Sequence, residues 1–451
     1  MTASDFPRPH FPREPGARVE PDLRAGLAQE TPGAEREQPA RRSGSTATTR
    51  LDFLDATRAF ALLLGVGFHA SLSFAPFFLG WAVQDVSTGA VVADFMLVSH
   101  SFRMALFFLL AGFFSHGLYH RQGAGAFLRS RAIRLGAPFV AGWFLLRPLL
   151  VSGWIMGAAS LRGDYDFRAG LRAGFESLRT LPAGLFTGSH LWFLYYLLLA
   201  TGLLLGLRLA AATATRALAG PAGPDRFRAR VDAGAGWLAR SGWGWTLLVP
   251  PTAVALWHMR FWGMDTPDQS LRPHLPLLAV FGGFFTLGWL FARQADAIQA
   301  FGRLSAGRGL LLAASVAATL KLSVIQGDPG HPHFAAAHLG FVVAYATMMW
   351  LLVALTPGVF RKFCSRPNPV IRYLADASYW VYLVHLPVVV WLQVAVAELS
   401  GPWPLKLAGV SAATLAFALL TYDLFVRATW LGQILNGRRR PRVLWPRSAA
   451  T

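Results

Sequence analysis

Residues 51–69 read Leu-Asp-Phe-Leu-Asp-Ala-Thr-Arg-Ala-Phe-Ala-Leu-Leu-Leu-Gly-Val-Gly-Phe-His, an apolar stretch with charged residues near its start and a histidine at its end. Apolar runs of about 20 residues are typical of membrane-spanning helices. Asp55 and Arg58 are three residues apart and can form an ion pair on such a helix. Arg58 and His69 are separated by ten residues. Eleven steps of about 100° bring them back to nearly the same helix face, roughly 16 Å apart along the axis.

The composition of the whole chain favours a membrane protein over a soluble one. Of the 451 residues, 54% are hydrophobic and 14% are charged, whereas about 25% are charged in soluble domains. The net charge of +19 would also suit nucleic-acid binding, but the arginines stand between apolar runs and in tails, as the positive-inside rule expects. We therefore expect membrane lipid, and no nucleic acid, as a partner. The single cysteine excludes a cysteine-rich metal site, and no metal site is predicted.

Ten apolar segments predict an all-α, polytopic membrane protein with about ten transmembrane helices. Residues 1–49 are polar and rich in proline and arginine, which predicts a disordered cytoplasmic tail. The membrane domain is expected over residues 50–430, and a basic cytoplasmic tail over residues 431–451. The segments lie near 52–74, 92–118, 134–156, 190–208, 244–262, 274–292, 308–326, 333–356, 372–397 and 404–426.

The loops between these segments alternate in arginine content. Those near 119–134, 208–243, 293–308 and 357–372 are rich in arginine, and most of the alternate loops hold almost none. Positively charged loops remain on the cytoplasmic side of a membrane. The pattern therefore predicts that both termini are cytoplasmic.

Ionisable residues inside apolar segments are the strongest candidates for function, because such groups are costly in a membrane. His69 stands in phase with Arg58, and this pairing favours a functional base over a simple interhelical hydrogen bond. His100 and Arg103 share one face of the second segment. An arginine this deep must meet an anion, a carbonyl or water. The alternative for Arg103 is a structural tie to a neighbouring helix.

Further polar residues lie at the ends and along one face of later segments. Arg131 and Arg134 could grip phosphate oxygens, although their spacing alone favours plain topology charge. His190 begins the fourth segment, either as a polar residue at the membrane surface or as part of an acceptor site. One polar stripe lies on an otherwise apolar helix and comprises Ser378, Tyr382 and His385. It could belong to the functional site, or it could only form hydrogen bonds to neighbouring helices.

Several of these motifs, in this order, resemble the acyltransferase 3 family of integral membrane acyltransferases. The resemblance rests on Arg58 with His69, Phe-Phe-Leu-Leu-Ala-Gly-Phe at 107–113, the Arg131/Arg134 pair, and Tyr-Leu-Val-His-Leu-Pro at 382–387. The stretches 53–58, 100–104 and 189–194 are most similar to the glucan-biosynthesis C-type branch. That branch is associated with succinylation of osmoregulated periplasmic glucans.

The resemblance implies a membrane O-acyltransferase in the bacterial inner membrane. It would move a succinyl or acetyl group from cytoplasmic acyl-CoA to a hydroxyl of a periplasmic glucan or other envelope glycan. Acyl-CoA is then the donor substrate, and no bound cofactor is expected. The contrasting hypothesis is a non-enzymatic transporter or flippase for an anionic lipid or glycan. It explains the buried arginines equally well, but not a histidine in phase with Arg58.

The implied roles divide the candidate residues into three sets. His69, Arg58 and Arg103 would be catalytic, with His69 accepting the hydroxyl proton and Arg103 binding an oxyanion or a succinyl carboxylate. Arg131 and Arg134 would bind the phosphates of CoA. The residues expected to support the site or bind substrate are Asp55, His100, His190, Ser378, Tyr382 and His385.

Overall fold

The structure, a computed structural model, describes residues 51–160, 166–179, 189–259, 263–267 and 271–444. These ranges are helical without strands, as the predicted all-α class requires. The predicted tail 1–49 lies outside them. The α-helices are α1 Asp52–Ser71, α2 Ala90–Arg131, α3 Ala137–Ser160, α4 Phe167–Glu176, α5 Trp192–Ala219, α6 Gly223–Arg240, α7 Val249–Trp257, α8 Leu275–Phe291, α9 Ala297–Phe301, α10 Ala306–Gln326, α11 Phe334–Phe363, α12 Pro369–Val396, α13 Trp403–Thr421 and α14 Trp430–Asn436. Short 3-10 turns cover Leu72–Phe74, Ser189–Leu191 and Gly244–Leu248, and π-helical turns cover Ala132–Gly136 and Tyr422–Arg427.

Seven helical stretches of the described chain are long and apolar enough to cross a membrane. One of them, Ala90–Ser160, has 71 residues and covers two of the predicted spans. α8 is also apolar but has only 17 residues. In the region near 244–262, α7 has nine residues, about half the length of a span. The predicted number of ten is therefore not confirmed, and the orientation of the termini stays a prediction.

Close contact between α2 and α8 brings the first half of the chain against its middle. A Cβ atom at Gly112 would collide with the carbonyl oxygen of Phe285, and one at Gly288 with that of Leu109. Small residues let two membrane helices approach in this way. The sequence run at 107–113 therefore serves packing, as its Ala-Gly pair suggests.

α2 breaks near its end, where it turns toward α3. Gly123 has φ of 78° and ψ of 168°, in the region that glycine adopts without a steric penalty. The π-helical turn Ala132–Gly136 then leads into α3. The segment between these two points carries the Arg131 side chain, and the turn itself carries Arg134.

The chain after α13 folds back onto α12. The Asn436 side chain donates a hydrogen bond to the carbonyl oxygen of Asp376 at 3.1 Å, and Arg440 forms an ion pair with the Asp376 carboxylate at 2.8 Å. The backbone N–H of Val443 donates to the fully buried carboxylate of Asp423 at 3.0 Å. Residues up to 444 are thus tied to the helical bundle by two carboxylates.

Candidate active site

A cavity of about 1850 Å³ lies between α1, α2, α3, α5 and α12. It follows the length of these helices, so its two ends carry different residues. We call the first the histidine end; it is lined by His69, His100, Arg103, His190 and His385. We call the second the arginine end; it is lined by Asp55, Arg58, Arg121, Arg134, Asp376 and Arg438.

Three histidine rings from distant parts of the sequence meet at the histidine end. The ring centroids of His69 and His385 are 5.3 Å apart, and those of His385 and His190 are 6.2 Å apart. Phe68 joins His100 to this group by stacking on its ring at 5.3 Å. The guanidinium carbon of Arg103 lies 4.2 Å from the centre of the Phe68 ring. The site thus brings together candidates from α1, α2, α12 and the turn before α5.

Backbone carbonyls hold three of the four histidine rings. A carbonyl only accepts, so the contacting ring nitrogen carries a proton, and the other nitrogen of a neutral ring does not. Among the described residues, neither ring nitrogen of His69 has a hydrogen-bond partner, and its Nδ1 is buried. His69 is therefore the ring whose tautomer no carbonyl of the described residues fixes, although the Nδ1 atoms of His100 and His190 are also buried without a partner. The contacts of the others are His100 Nε2 to Met264 O at 3.0 Å, His190 Nε2 to Leu383 O at 2.9 Å, and His385 Nδ1 to Tyr382 O at 2.8 Å.

Arg103 is a buried cation without a carboxylate partner in the described part of the chain. Its residue is 4% exposed, and its Nη1 atom is buried without a hydrogen-bond partner. Gly65 of α1 lies beside it, and a Cβ there would be in ordinary van der Waals contact with the Arg103 Cδ atom at 3.6 Å. A buried charge costs much free energy unless it is paired. The geometry therefore suits an anionic substrate group beside Arg103.

Gln393 holds the end of α1 in place and was not among the sequence candidates. Its Nε2 donates to the carbonyl oxygens of His69 and Ala70, both at 3.0 Å. Its Oε1 accepts from the indole N–H of Trp81 at 2.8 Å. The Trp81 ring lies 6.1 Å from the His69 ring. The signal that the sequence offered was a glutamine within the apolar α12, and the structure buries this residue fully.

The predicted polar stripe of α12 faces the cavity along its length. The Tyr382 hydroxyl donates to the His190 carbonyl oxygen at 2.7 Å. The Ser378 hydroxyl and the Arg58 guanidinium both donate to the Ala375 carbonyl oxygen, each at 2.7 Å. The stripe therefore links α12 to the chain before α5 and to α1.

The arginine end combines cations with carboxylates. Arg58 lies 3.5 Å from Asp55, which is the ion pair that the spacing predicts. The Asp376 carboxylate forms an ion pair with Arg440 at 2.8 Å and also lies 4.0 Å from Arg438. Asp376 was missed although it is a carboxylate within an apolar helix. Arg438 was missed because only the return of the chain after α14 brings it to the cavity.

Arg131 and Arg134 occupy different environments. Arg134 lines the cavity, its carbonyl oxygen accepts from the Tyr379 hydroxyl, and its guanidinium lies where a Cβ of Gly437 would stand. The Arg131 guanidinium stacks over Phe127 at 4.9 Å and does not line the cavity. The structure therefore separates the two arginines that the sequence grouped together.

The helical bundle and its cavity of histidines and arginines define a membrane protein built around a buried polar site. The acyltransferase domain of the acyltransferase 3 family matches residues 51–423, and the chain belongs to this family. This confirms the resemblance found in the motifs and the prediction of an acyltransferase. No solved structure matches the chain.

Curated relatives match a shorter part of the chain. Glucans biosynthesis protein C of Escherichia coli (strain K12) is 32% identical over 151 residues, which are 34% of this chain and 37% of that protein. The protein of the same name from Escherichia coli O1:K1 / APEC has the same identity and coverage. The chain thus spans 37% of the length of these relatives.

Proposed function

We propose that this protein transfers an acyl group from cytoplasmic acyl-CoA to a hydroxyl of a periplasmic or other envelope glycan. The observation that carries this proposal is the cavity itself, which joins an arginine end suited to phosphates to a histidine end suited to proton transfer. The glycan acceptor is inferred from the relatives, whose name assigns them to glucan biosynthesis. The expected location is the bacterial inner membrane.

The proposed orientation puts the arginine end in the cytoplasm. The arginine-rich loops, including α6 with Arg228, would lie on that side under the positive-inside rule. In a Cys364→Ser background, we expect Val86→Cys, which is 69% exposed, to react with a thiol reagent from outside. Arg228→Cys should react only after the membrane is permeabilised. The opposite labelling pattern would reverse the orientation and separate CoA from the arginine end.

At the histidine end, the reaction consists of an attack by a sugar hydroxyl on the thioester carbonyl carbon. The new C–O bond forms as His69 takes the hydroxyl proton, and the C–S bond then breaks as the same proton passes to the leaving thiolate. The products are the O-acyl ester and free CoA. Because no described residue forms a hydrogen bond with the His69 ring, we assign to it the acceptance and return of the proton.

We assign to Arg103 the binding of the negative charge that the reaction brings into the site. An oxyanion forms at the thioester carbonyl during attack, and a succinyl group adds a carboxylate. Arg103 carries a positive charge beside His69 without a carboxylate of its own in the described chain. Its planar fork matches a carboxylate with two parallel hydrogen bonds. We therefore favour succinyl over acetyl as the transferred group.

The decisive experiment uses the purified full-length protein in lipid nanodiscs, with succinyl-CoA or acetyl-CoA and a glucan oligosaccharide. Release of free CoA thiol that depends on the acceptor, together with acylated acceptor by mass spectrometry, would support the proposal. A transporter or flippase would release no CoA thiol under these conditions. Envelope glycans from cells with and without the protein identify the natural acceptor and acyl group.

A further inference from the structure

A second group of cationic side chains lies outside the cavity. We call it the basic cluster; it consists of His116, His120, Arg208, Arg228 and Arg293. None of these residues lines the cavity. His120 nevertheless directly precedes Arg121 of the arginine end, so the cluster is at the same end of the bundle. The basic cluster plays no part in the reaction proposed above.

Aromatic rings hold the centre of the basic cluster. The Arg208 guanidinium carbon lies 5.0 Å from the ring centre of Tyr119 and 5.1 Å from that of Trp289. The rings of His116 and His120 are 4.4 Å apart, and His116 lies 5.2 Å from Trp289. Helices α2 and α5 therefore present their basic side chains to one place, against the Trp289 ring of α8.

The basic cluster has more positive charge than its carboxylate can neutralise. Asp232 is paired with Arg293 at 2.5 Å. Arg228 is on α6, which packs against α5 and α8, and neither Arg208 nor Arg228 has an ion pair in the described part of the chain. The Nη1 atom of Arg208 is buried without a hydrogen-bond partner. A fixed, partly unsatisfied guanidinium of this kind suits a phosphate oxygen.

The surroundings of Arg208 indicate where such a phosphate would come from. Its neighbours Leu207 and Leu209 are 55% and 68% exposed, and Leu203, one turn before Leu207, is also exposed. On α6, Trp237 is 56% exposed, as expected for an aromatic side chain at a membrane interface. Exposed apolar side chains beside a basic pocket match a molecule with both a charged head and an acyl chain.

We propose that the basic cluster binds the phosphate of an anionic phospholipid, whose acyl chains lie along Leu203 and Leu207. Basic pockets between transmembrane helices at the cytoplasmic surface bind anionic head groups in this manner. Coenzyme A offers the same phosphate chemistry, but the succinyl or acetyl group of the proposed donor is too short to cover Leu203 and Leu207. The proposed donor route also passes through the cavity, which the basic cluster does not line.

The test is native mass spectrometry of the full-length protein in detergent with phosphatidylglycerol or phosphatidylcholine. We expect selective retention of phosphatidylglycerol, and an affinity about tenfold lower in Arg208→Gln. Arg228→Gln, at an exposed position that does not threaten folding, should also lower it. Matched controls are Arg216→Gln on α5 and Arg230→Gln on α6, both exposed, which should retain the lipid as the unmodified protein does.

Two results would overturn the proposal. The first is lack of selection: the unmodified protein retains phosphatidylcholine as well as phosphatidylglycerol, or Arg228→Gln retains phosphatidylglycerol as well as Arg230→Gln does. Either outcome would mean that the cluster does not select an anionic lipid. If coenzyme A or inorganic phosphate displaced phosphatidylglycerol, while the same volume of detergent alone did not, the phosphate site would belong to a soluble ligand. Neither result depends on acyl transfer, so the proposed function can fail or hold separately.

Discussion

The two ends of the cavity differ in whether their arginines are paired with carboxylates. At the arginine end, Arg58 is near Asp55, and Asp376 meets Arg440 and Arg438. At the histidine end, Arg103 is buried and has no carboxylate in the described part of the chain. Charges that are paired with each other hold a structure together, whereas an unpaired buried charge needs an outside partner.

This difference predicts how each end responds to substitution. In the proposed function, residues of the histidine end would act on the reacting groups, so their loss should mainly lower kcat. Residues of the arginine end would share the binding of the proposed multiply charged donor, so a single loss should raise KM by a small factor. The following predictions test this contrast from the largest expected effect to the smallest.

Replacement of the base should have the largest effect. We expect His69→Ala to lower kcat by about 10³-fold, because a positioned general base contributes roughly 10²- to 10⁴-fold. His69→Gln should lose nearly as much, since it keeps a polar side chain without basicity. The measurement is acceptor-dependent CoA release by protein that has the same yield and helical content as the unmodified protein.

His100→Gln is the matched control for the base. His100 lies at the same end, but its Nε2 is bound to the Met264 carbonyl, so the loss should be about tenfold at most. Activity within threefold of normal for His69→Ala would remove His69 from the mechanism.

The loss of activity on replacing the unpaired cation Arg103 should depend on the donor. Arg103→Lys keeps the charge but loses the two-pronged hydrogen bond, which costs on the order of 1.5–3 kcal/mol for one charged bond. We expect about one to two decades less succinyl transfer and a smaller loss with acetyl-CoA. The rates with both donors should be compared in one preparation. Equal losses would leave Arg103 as an oxyanion or structural residue.

Loss of the support beneath the base should slow the reaction without weakening donor binding. Gln393→Leu removes the hydrogen bonds to the carbonyls of His69 and Ala70 and to Trp81. A displacement of about 1 Å can cost up to 10²-fold, and we expect about tenfold in kcat with an unchanged KM for acyl-CoA. A variant that only unfolds at lower temperature, with normal kcat, would show that Gln393 serves stability alone.

The smallest effect is expected at the arginine end. Arg134→Gln should raise the KM for acyl-CoA about three- to tenfold, because one of several cations facing the donor phosphates is lost. Arg131→Gln should change KM little, since Arg131 stacks on Phe127 away from the cavity. The difference should shrink as ionic strength rises. Equal changes in KM for both variants would contradict the separation of the two arginines.

The polar stripe of α12 shows which side chains helical periodicity in the sequence places together correctly. Ser378, Tyr382 and His385 recur at helical spacing, so one helix brings all three to the cavity. The same reasoning put Arg58 and His69 on one face of α1. It did not describe the Arg131/Arg134 pair, because Arg131 is the last residue of α2 and Arg134 lies in the π-helical turn that follows. An irregular backbone changes the direction of side chains in a way that an ideal period does not describe.

The sequence by itself determined the all-helical class, the membrane character and the family motifs, because hydropathy and local spacing depend only on neighbouring residues. Only the tertiary structure decided which polar residues meet. His385 from α12 and His190 from the turn before α5 meet at the ring of His69. Helix packing brings Gln393 to the end of α1, and the return of the C-terminal segment brings Arg438 to the cavity. Contacts between residues hundreds of positions apart arise from the way helices pack, which no local pattern records.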